Sequence, residues 1–353
     1  MKDAYTYFVA SDDSDKLTVE KLHLCSWLYR KPWWALPLCG LYKSRELLEI
    51  GLQIKVNERE HHKLKRIDAH HKGITFSILV PWLKVGATIK DVFPQMKDTR
   101  NARFIFNTDV DPRGSCDGGE GNAGVFFKFG DSPDPMCLLP VEGKIKEDGV
   151  LTVNVAIPDK VKLHKNPIYV RMVITIPRTK FCCKNSCITK TRYMYDVKVN
   201  EPRNYPKPEE QDKICSVETC YCIHIVPSNF HISFNVAKAF RNVRILEHER
   251  YNSYVKGLGS FVTNIQANDY LVIFNKIDNS VIGSETEKSP FSFFTVLEKE
   301  HIGRTSVLVA TIINILCTIA CTLLFASKGT ISQSWVYKKF FINATSQVGS
   351  GGE

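Results

Sequence analysis

The sequence lacks every short motif that would identify a reaction. It contains no G-x-S-x-G, no H-E-x-x-H and no P-loop, so the familiar hydrolase, metalloprotease and phosphate-binding signatures are missing. It also has no internal repeat and no low-complexity tract, and its ordinary fractions of apolar and charged residues exclude wholesale disorder. We therefore expect a folded protein without enzyme activity.

Cysteine is too sparse to hold the chain together by itself. Twelve cysteines in 353 residues are far fewer than a small disulfide-built scaffold needs. A secretory signal is also missing, because no apolar stretch follows a basic start: residues 1–18 carry acidic and basic residues throughout. The Trp-rich segment that follows is broken by charges and prolines, so we expect it to pack into a core.

Near the C-terminus, charge is absent from one long segment. Residues 305–327 contain no charged side chain, and Arg304 and Lys328 close the two ends. These 23 residues suffice to cross a hydrocarbon core of about 30 Å as a helix. The alternative is a buried core helix. We expect a single-pass transmembrane helix over residues 304–328, followed by a short tail at 329–353.

The missing signal and the late span favour a C-terminally anchored protein whose bulk lies in the cytosol. Asn343 begins an N-x-T sequon in the tail, where it would be a lumenal glycosylation acceptor. The lysines after the span favour the opposite orientation weakly. An extracytosolic location of the bulk of the chain is therefore the alternative.

Alternating apolar and polar residues predict strands along most of the chain. Such segments, rich in β-branched and aromatic residues, are typical of an all-β protein, and we expect an antiparallel sandwich or jelly roll. The predicted strands are 50–56, 74–80, 102–106, 124–129, 150–157, 168–176, 191–199, 221–226, 231–237, 243–247, 260–265, 270–276 and 291–296. Two short segments, 43–48 and 58–70, have weak helical patterns.

A Pro-rich segment at residues 201–213 is the best candidate for a linker. It separates a main β domain with a basic face, at 41–200, from a second β region at 214–303. The N-terminal Trp-rich segment covers 1–40. The second region is small for an independent sandwich, so both regions can also be halves of one domain.

The positive charge is concentrated in one window. The chain has a net charge of +10, and residues 160–195 hold nine basic residues and no acidic one: Lys160, Lys162, Lys165, Arg171, Arg178, Lys180, Lys184, Lys190 and Arg192. Tyrosines and a phenylalanine lie between them. This pattern favours binding of a polyanion, either nucleic acid or anionic lipid. The alternative is a solvated loop and strand edge.

A cluster of cysteines overlaps this basic window. Its members are Cys182, Cys183, Cys187, Cys215, Cys220 and Cys222, with His224 beside the last. Four such side chains can hold a tetrahedral zinc ion, although the regular C-x2-C spacing is absent. Disulfides and unlinked thiols are the alternatives. Zinc is thus the one cofactor for which the sequence offers ligands.

One acidic loop resembles an EF-hand loop locally. Asp109, Asp111, Asp117 and Glu120 occupy loop positions 1, 3, 9 and 12 of that pattern. Arg113 replaces an oxygen ligand, and the flanking segments have strand patterns instead of helical ones. The calcium signal is therefore weak, and a turn between strands explains the loop better.

Polar residues line one face of the predicted span. Thr311, Asn314 and Thr318 recur at helical spacing, and an amide inside hydrocarbon favours self-association of helices. The alternative is that the threonines bond to their own backbone.

Together these features predict a single-pass, membrane-anchored β-sandwich binding protein with a basic surface for RNA or anionic lipid, as in a viral transport or membrane protein. The alternative is a virion-surface or other extracytosolic protein with a disulfide-stabilised β domain that binds a receptor or mediates entry.

Overall fold

The structure is a computed structural model of the chain. It describes residues 5–28, 46–56, 73–80, 83, 86–116, 124–130, 134–146, 149–158, 160–163, 165–176, 183–186, 190–204, 212–247, 254, 270–279, 290–300 and 304–326. The chain divides into two compact units. The larger unit comprises Met1–Asn185 and Arg192–Lys299, and the smaller one comprises Ser186–Thr191 and Glu300–Glu353.

The fold is mostly β, as the sequence predicts. The strands are β1 (Tyr5–Ala10), β2 (Leu17–Leu28), β3 (Glu46–Val56), β4 (Gly73–Leu79), β5 (Thr88–Asp91), β6 (Val110–Ser115), β7 (Val125–Phe129), β8 (Met136–Leu138), β9 (Glu142–Ile145), β10 (Val150–Ala156), β11 (Ile168–Ile176), β12 (Cys183–Ser186), β13 (Lys190–Val199), β14 (Ser216–Pro227), β15 (His231–Asn235), β16 (Phe240–Ile245), β17 (Tyr270–Asp278) and β18 (Phe291–Glu300). The described helices are α1 (Phe93–Met96), α2 (Thr99–Phe106) and α3 (Arg304–Ala326), with a 3₁₀ turn at Pro202–Asn204.

These strands form two sheets of mixed direction. The smaller sheet has eight strands in the order β15-β18-β13-β1-β4-β10-β9, with β12 paired to β13. The larger sheet has ten strands in the order β16-β17-β14-β2-β3-β11-β8-β7-β6, with β5 paired to β11. Parallel pairs join β1 to β13, β2 to β14 and β8 to β11. The expectation of purely antiparallel sheets is therefore wrong.

The N-terminal strands occupy the middle of both sheets. In the smaller sheet β1 separates the late strands β13, β15 and β18 from the early strands β4, β9 and β10. In the larger sheet β2 lies between β14 and β3 and pairs with both. Strands that precede and follow residues 201–213 therefore share the same two sheets.

One hydrophobic cluster contains side chains from both sheets. Val9 and Phe76 come from the smaller sheet, and Leu24, Ile50 and Val170 come from the larger one. Because successive strand residues point to opposite faces, the residues between them on β2, β3 and β11 face away from this shared core. That outward face of the larger sheet carries the features described below.

A second layer covers part of that outward face. Val92 and Met96 of the α1 region, Ala102 of α2 and Phe127 of β7 pack there against Tyr169. The prediction of a strand over residues 102–106 is wrong, since these residues belong to α2. The Asp98 side chain accepts a hydrogen bond from the backbone N–H of Arg100, and Asn107 ends the helix with a left-handed φ of 51°. These are ordinary helix start and stop signals.

Other sequence predictions have mixed outcomes. Most predicted strands are present, with ends shifted by a few residues, but seven observed strands were not predicted: β1, β2, β5, β6, β8, β9 and β12. The helical interpretation of 43–48 is wrong where the structure describes it, because Glu46–Val56 is strand β3. The predicted helix at 58–70 and the predicted strand at 260–265 lie outside the described residues.

The smaller unit contains α3, whose 23 residues begin at Arg304 and cover all but the last residue of the uncharged segment 305–327. Side chains are described for residues 307–322 of this helix. When only described residues are considered, no helix is both long enough and apolar enough to cross a membrane.

Candidate functional site

A groove of about 920 Å³ lies on the outward face of the larger sheet. Its floor includes His23 of β2, Gln53 of β3 and Tyr221 of β14. Each of the three lies between two residues of the shared core, such as Leu22 and Leu24 on either side of His23, so each faces away from that core. The three strands are neighbours within the sheet, which gives the groove a rigid floor.

Gly51 makes room for a tyrosine beside this floor. A Cβ atom at residue 51 would lie 2.2 Å from the hydroxyl oxygen of Tyr169, far inside van der Waals contact. With glycine there, the Tyr169 hydroxyl reaches His23 Nδ1 at 3.0 Å. Arg171 Nη1 donates to the same hydroxyl oxygen at 3.1 Å. With Arg171 donating to its oxygen, the hydroxyl is free to donate its own proton to Nδ1, an arrangement that requires the His23 tautomer with the ring proton on Nε2.

The imidazole of His23 is uncharged at neutral pH. Burial, together with the positive charges of Arg171 and Lys21, lowers the pKa of His23 to about 3. The ring of Tyr221 meets it edge-on, with ring centroids 4.8 Å apart. The floor thus offers a fixed, neutral hydrogen-bonding ring beside an aromatic one.

Two pairs of polar side chains along the groove are in hydrogen-bonding contact. Gln53 Nε2 donates to Glu20 Oε2 at 2.8 Å, and Lys55 Nζ lies 2.8 Å from Glu218 Oε1. The lining contains three lysines (Lys21, Lys55 and Lys165) and three carboxylates (Glu20, Asp134 and Glu218). The groove therefore carries no net charge.

One wall of the groove is aromatic. Phe106 at the end of α2 lies 4.5 Å from the ring of Phe129 and 4.7 Å from that of Tyr169, measured between centroids. Phe274 of β17 also lines the groove, and the guanidinium of Arg244 lies 5.0 Å above its ring. Arg244 also donates to the side-chain oxygen of Asn107, which ties β16 to the end of α2.

Arg171, which the sequence places among the polyanion-binding residues, lies in the interior. Its side chain is 6% exposed and forms an ion pair with Glu49, which is fully buried. Burial alone would lower the pKa of Arg171, but the charge of Glu49 raises it well above its usual value. Because this cation is already neutralised inside the protein, its assignment to a polyanion-binding surface is wrong.

The Glu49 carboxylate uses one oxygen for all its described hydrogen bonds. Oε2 accepts from Arg171 Nε at 2.8 Å and from the Tyr254 hydroxyl at 3.0 Å. Among the described residues, none donates to the buried Oε1. Tyr169, Arg171, Glu49 and Tyr254 thus form one buried polar network behind His23.

Three of the predicted basic residues lie on one exposed turn. Lys160, Lys162 and Lys165 are exposed between β10 and β11, whereas Val161 and Leu163 between them are buried. Backbone hydrogen bonds from Val161 to Pro158 and from Lys165 to Lys162 hold the turn. Within the described part of the chain, none of the three lysines forms an ion pair. We call these three residues the lysine turn.

The remaining basic residues are not brought to this turn by any described contact. Arg192 of β13 pairs with Glu298 of β18. Lys190 begins β13, and Lys184 lies in β12 with its side chain outside the described part. Arg178 and Lys180 lie outside the described residues. The single basic surface predicted from the sequence therefore reduces, where it is described, to the lysine turn.

The cysteine cluster is described only in part. Cys215, Cys220 and Cys222 are buried; Cys182 and Cys187 lie outside the described residues, as does the side chain of Cys183. His224 lies 3.6 Å from Cys222 Sγ through Nε2, and its Nδ1 lies 2.8 Å from the Ser26 hydroxyl. In the described ranges, no three potential ligands are placed to hold a metal ion.

The Cys222–His224 pair has acid–base properties opposite to those of a catalytic pair. Burial raises the pKa of Cys222 to about 12 and lowers that of His224 to about 3. The thiol therefore stays protonated and the imidazole stays neutral at pH 7, whereas a thiolate nucleophile needs a depressed pKa. The pair is a buried polar contact, and neither side chain is in the protonation state that nucleophilic catalysis by a thiolate needs.

The EF-hand-like loop lies in a hairpin where it is described. Asp111 belongs to β6, which pairs with β7, and its carboxylate lies 2.8 Å from Arg113. Asp109 lies 3.2 Å from Arg103. Asp117 and Glu120 lie outside the described residues. The two described aspartates are thus engaged by arginines.

In α3 the two threonines bond to their own helix. Thr311 Oγ1 donates to the carbonyl of Val307, and Thr318 Oγ1 donates to that of Asn314, both at 2.8 Å. The side chain of Asn314 is exposed. Asn343 lies outside the described residues.

No family model and no curated protein matches this sequence.

Sequence reasoning missed the groove. Its one sequence signal is Gly51, since a glycine in the middle of an otherwise apolar-alternating strand marks a close approach of another group. His23 and Tyr169 are more than a hundred residues apart in the chain, so their pairing had no local signature.

Proposed function

We propose that this chain is a non-catalytic β-sandwich binding protein, anchored by α3 as a single C-terminal span, that presents the lysine turn to a polyanion. The observation that carries the proposal is the turn itself. Three exposed lysines within six residues are held on a backbone fixed by two buried side chains, and described carboxylates leave all three available.

Comparison with other cations supports this choice. Lys16, Lys55 and Lys213 each lie within 3.0 Å of a carboxylate oxygen, so much of their charge is neutralised within the protein. The lysine turn keeps its charge for an external partner. Each lysine near an anionic membrane surface contributes about 1 kcal/mol, and each phosphate neutralised on a nucleic acid releases a counterion.

Anchoring is supported by the surface of α3. Val307, Leu308, Ile313 and Leu316 are each more than half exposed, although their side chains are fully apolar. Exposed apolar residues in this number call for an apolar environment. The backbone of α3 runs for 23 residues, the length that a bilayer core requires, although its described residues alone do not qualify it as a span.

The test is a charge reversal with a matched control. Lys160→Glu together with Lys162→Glu changes the charge of the turn, and Lys144→Glu with Lys146→Glu makes the same change at exposed positions near β9. Binding of single-stranded RNA and of phosphatidylserine vesicles is measured between about 50 and 200 mM salt. We expect the first variant to lose at least tenfold in affinity for one of the two ligands, and the control to lose little.

Equal losses in both variants would show that only net charge matters, and binding that does not depend on salt concentration would contradict a polyanion site.

Topology is tested separately in a eukaryotic cell. A C-terminally anchored chain with its tail in the lumen should be glycosylated at Asn343, and Asn343→Gln should abolish the mobility shift. In the extracytosolic alternative the tail lies in the cytosol, where Asn343 cannot be glycosylated. An unmodified Asn343 would therefore favour that alternative.

A further inference from the structure

We propose that the groove on the larger sheet is a second binding site, for a neutral oligosaccharide. It adjoins the lysine turn, which contributes Lys165 to its lining, whereas Lys160 and Lys162 do not line it. The inference rests on the size, charge and lining of the groove and on the position of its floor strands within the sheet. It does not depend on the polyanion proposal.

The volume of the groove suits a chain of several small rings. At about 920 Å³ it falls near the upper end of the range for small-molecule sites, which is roughly 300–1,000 Å³. Two polar side chains of the floor, His23 and Gln53, are more than nine-tenths buried. Buried polar groups that line a groove are costly unless they serve a bound partner or one another.

The charge of the groove excludes strongly charged ligands. Its three lysines and three carboxylates balance. Lys55 lies 2.8 Å from Glu218, and Lys21 lies 3.9 Å from Glu20. A polyanion would meet Glu20 and Glu218 along with the lysines, and a polycation would meet the reverse. An uncharged ligand avoids both repulsions.

The paired side chains match the chemistry of sugar hydroxyls. A hydroxyl both donates and accepts, so neighbouring hydroxyls on a sugar ring are best met by a donor and an acceptor side by side. Glu20 with Gln53 and Lys55 with Glu218 are two such pairs, each already held at 2.8 Å. Hydrogen bonds to charged partners of this kind are the stronger class.

Aromatic rings in the groove provide a surface for the apolar face of a sugar. The C–H face of a pyranose ring is apolar and packs on an aromatic side chain, and Tyr221, Phe106 and Phe274 line the groove. Lys276 lies 5.7 Å from the ring centroid of Tyr221 and Phe129 braces Phe106, so these rings are held in place. An aromatic surface beside paired hydrogen-bonding groups recognises both faces of a sugar.

An extended peptide fits this groove less well. Peptides that bind to sheets gain most of their affinity by adding a strand to a free edge. The floor strands β2, β3 and β14 are interior strands, each paired on both sides, so their backbone groups are already used. The groove can offer side chains to a ligand but no edge.

The experiment uses the full chain in detergent. Binding of cellohexaose, mannohexaose and chitohexaose is measured by calorimetry, with a heparin hexasaccharide and an uncharged hexapeptide as competing ligand classes. We expect a neutral hexasaccharide to bind with a Kd below about 1 mM, at an affinity that changes less than twofold between 50 and 200 mM salt. Tyr221→Ala and Gln53→Ala should each weaken binding at least tenfold.

Controls keep a folding defect apart from a binding defect. Phe234→Ala removes an exposed aromatic ring outside the groove and should leave the affinity unchanged. Glu218→Gln, at a partly exposed position, keeps the shape of the side chain and should weaken binding at least threefold. If no neutral hexasaccharide binds, or only heparin or the peptide binds, or Phe234→Ala has the effect of Tyr221→Ala, the proposal is overturned.

Discussion

Gly51 couples the stability of the protein to the geometry of the groove floor. In Gly51→Ala the new methyl group would collide with the Tyr169 hydroxyl at 2.2 Å and push it away from His23 and Arg171. We expect a loss of about 2–4 kcal/mol in the free energy of unfolding, from overpacking and from broken buried hydrogen bonds. Urea denaturation measures it.

A double-mutant cycle isolates the cause. Tyr169→Phe removes the hydroxyl that the methyl group would strike, and by itself costs about 1–2 kcal/mol because Arg171 and His23 lose a partner. In that background Gly51→Ala should cost clearly less than it does alone, which gives a coupling energy of about 1 kcal/mol or more. Additive costs would show that the glycine matters for backbone freedom and not for the tyrosine.

Two buried histidines should make the protein less stable in mild acid. The pKa values of His23 and His224 are both about 3 in the folded state, below the value of about 6.5 in an unfolded chain. The unfolded state therefore binds more protons as the pH falls from 6.5 toward 3. Each histidine then removes about 1.4 kcal/mol of stability per pH unit.

Asp91 acts in the opposite direction, since burial raises its pKa to about 6 and folding then favours its protonated form below that pH. The measurement is the free energy of unfolding between pH 7 and 4. His224→Gln should flatten the curve by up to about 1.4 kcal/mol per pH unit, and His231→Gln, at an exposed histidine, is the control. An unchanged slope in His224→Gln would contradict the assignment.

Single residues were the hardest to assign from the sequence. Arg171 has the same local surroundings in the sequence as its basic neighbours, but its partner Glu49 is 122 residues away. Lys160, Lys162 and Lys165 were assigned from composition, and the structure leaves them exposed. Whether a basic side chain is buried depends on which residues lie beside it across the sheet. A count of charges in a local window carries no information about those neighbours.

Among the helices, α3 carries the membrane prediction. Replacing both Ile313 and Leu316 with Arg should release the protein from membranes, because each Arg at mid-span costs about 2.5–3.5 kcal/mol on insertion scales. Extraction with carbonate, followed by sedimentation, measures it. Replacement of the same residues with Ala is the control, and a double-Arg variant that still pellets would place the anchor elsewhere.

The same helix carries a prediction about self-association. The hydroxyls of Thr311 and Thr318 bond to backbone carbonyls, so they have little need of a partner, whereas the Asn314 amide is exposed. An isolated 304–328 peptide in detergent should dimerise, with each polar contact contributing about 0.6–2 kcal/mol. Asn314→Leu should reduce the dimer, and Thr311→Val should not. Sedimentation equilibrium that finds equal monomer fractions in all three peptides would rule the amide out.

Elements rich in β-branched and apolar residues were predicted well. Residues 168–176 form β11 over the predicted range, since no Gly or Pro interrupts the segment. The failures have identifiable causes. Residues 102–106 are too few to distinguish the two-residue period of a strand from the 3.6-residue period of a helix. The capping residues Asp98 and Asn107 favour the helix. β2 has buried residues on both faces, so it shows no clean alternation.

For the molecule as a whole, the position of β1 and β2 predicts which truncations are tolerated. Deletion of residues 1–28 removes the strand between the early and late halves of each sheet. We expect this variant to lose cooperative thermal unfolding. Deletion of residues 301–353 leaves the larger unit intact and should preserve it. A synthetic peptide of residues 1–28, added to the first variant, should restore cooperative unfolding in part.

If the first variant unfolded as cooperatively as the second, the two halves would be independently stable, and the central strands would be dispensable. The sequence predicted the all-β class but left open whether the halves form one domain. The answer lies in parallel pairs such as β2 with β14, which join segments too distant for any local pattern to reveal.

The central place of β1 has a consequence for synthesis on the ribosome. The backbone N–H of Val9 bonds to the side chain of Asn200, 191 residues later in the chain. At about 5–20 residues per second, the first strands leave the ribosome roughly 10–40 s before their late partners exist. During that interval two strongly apolar strands lack one of their neighbours. Nascent chains of this protein should therefore depend on ribosome-associated chaperones, and slowing translation should increase its aggregation.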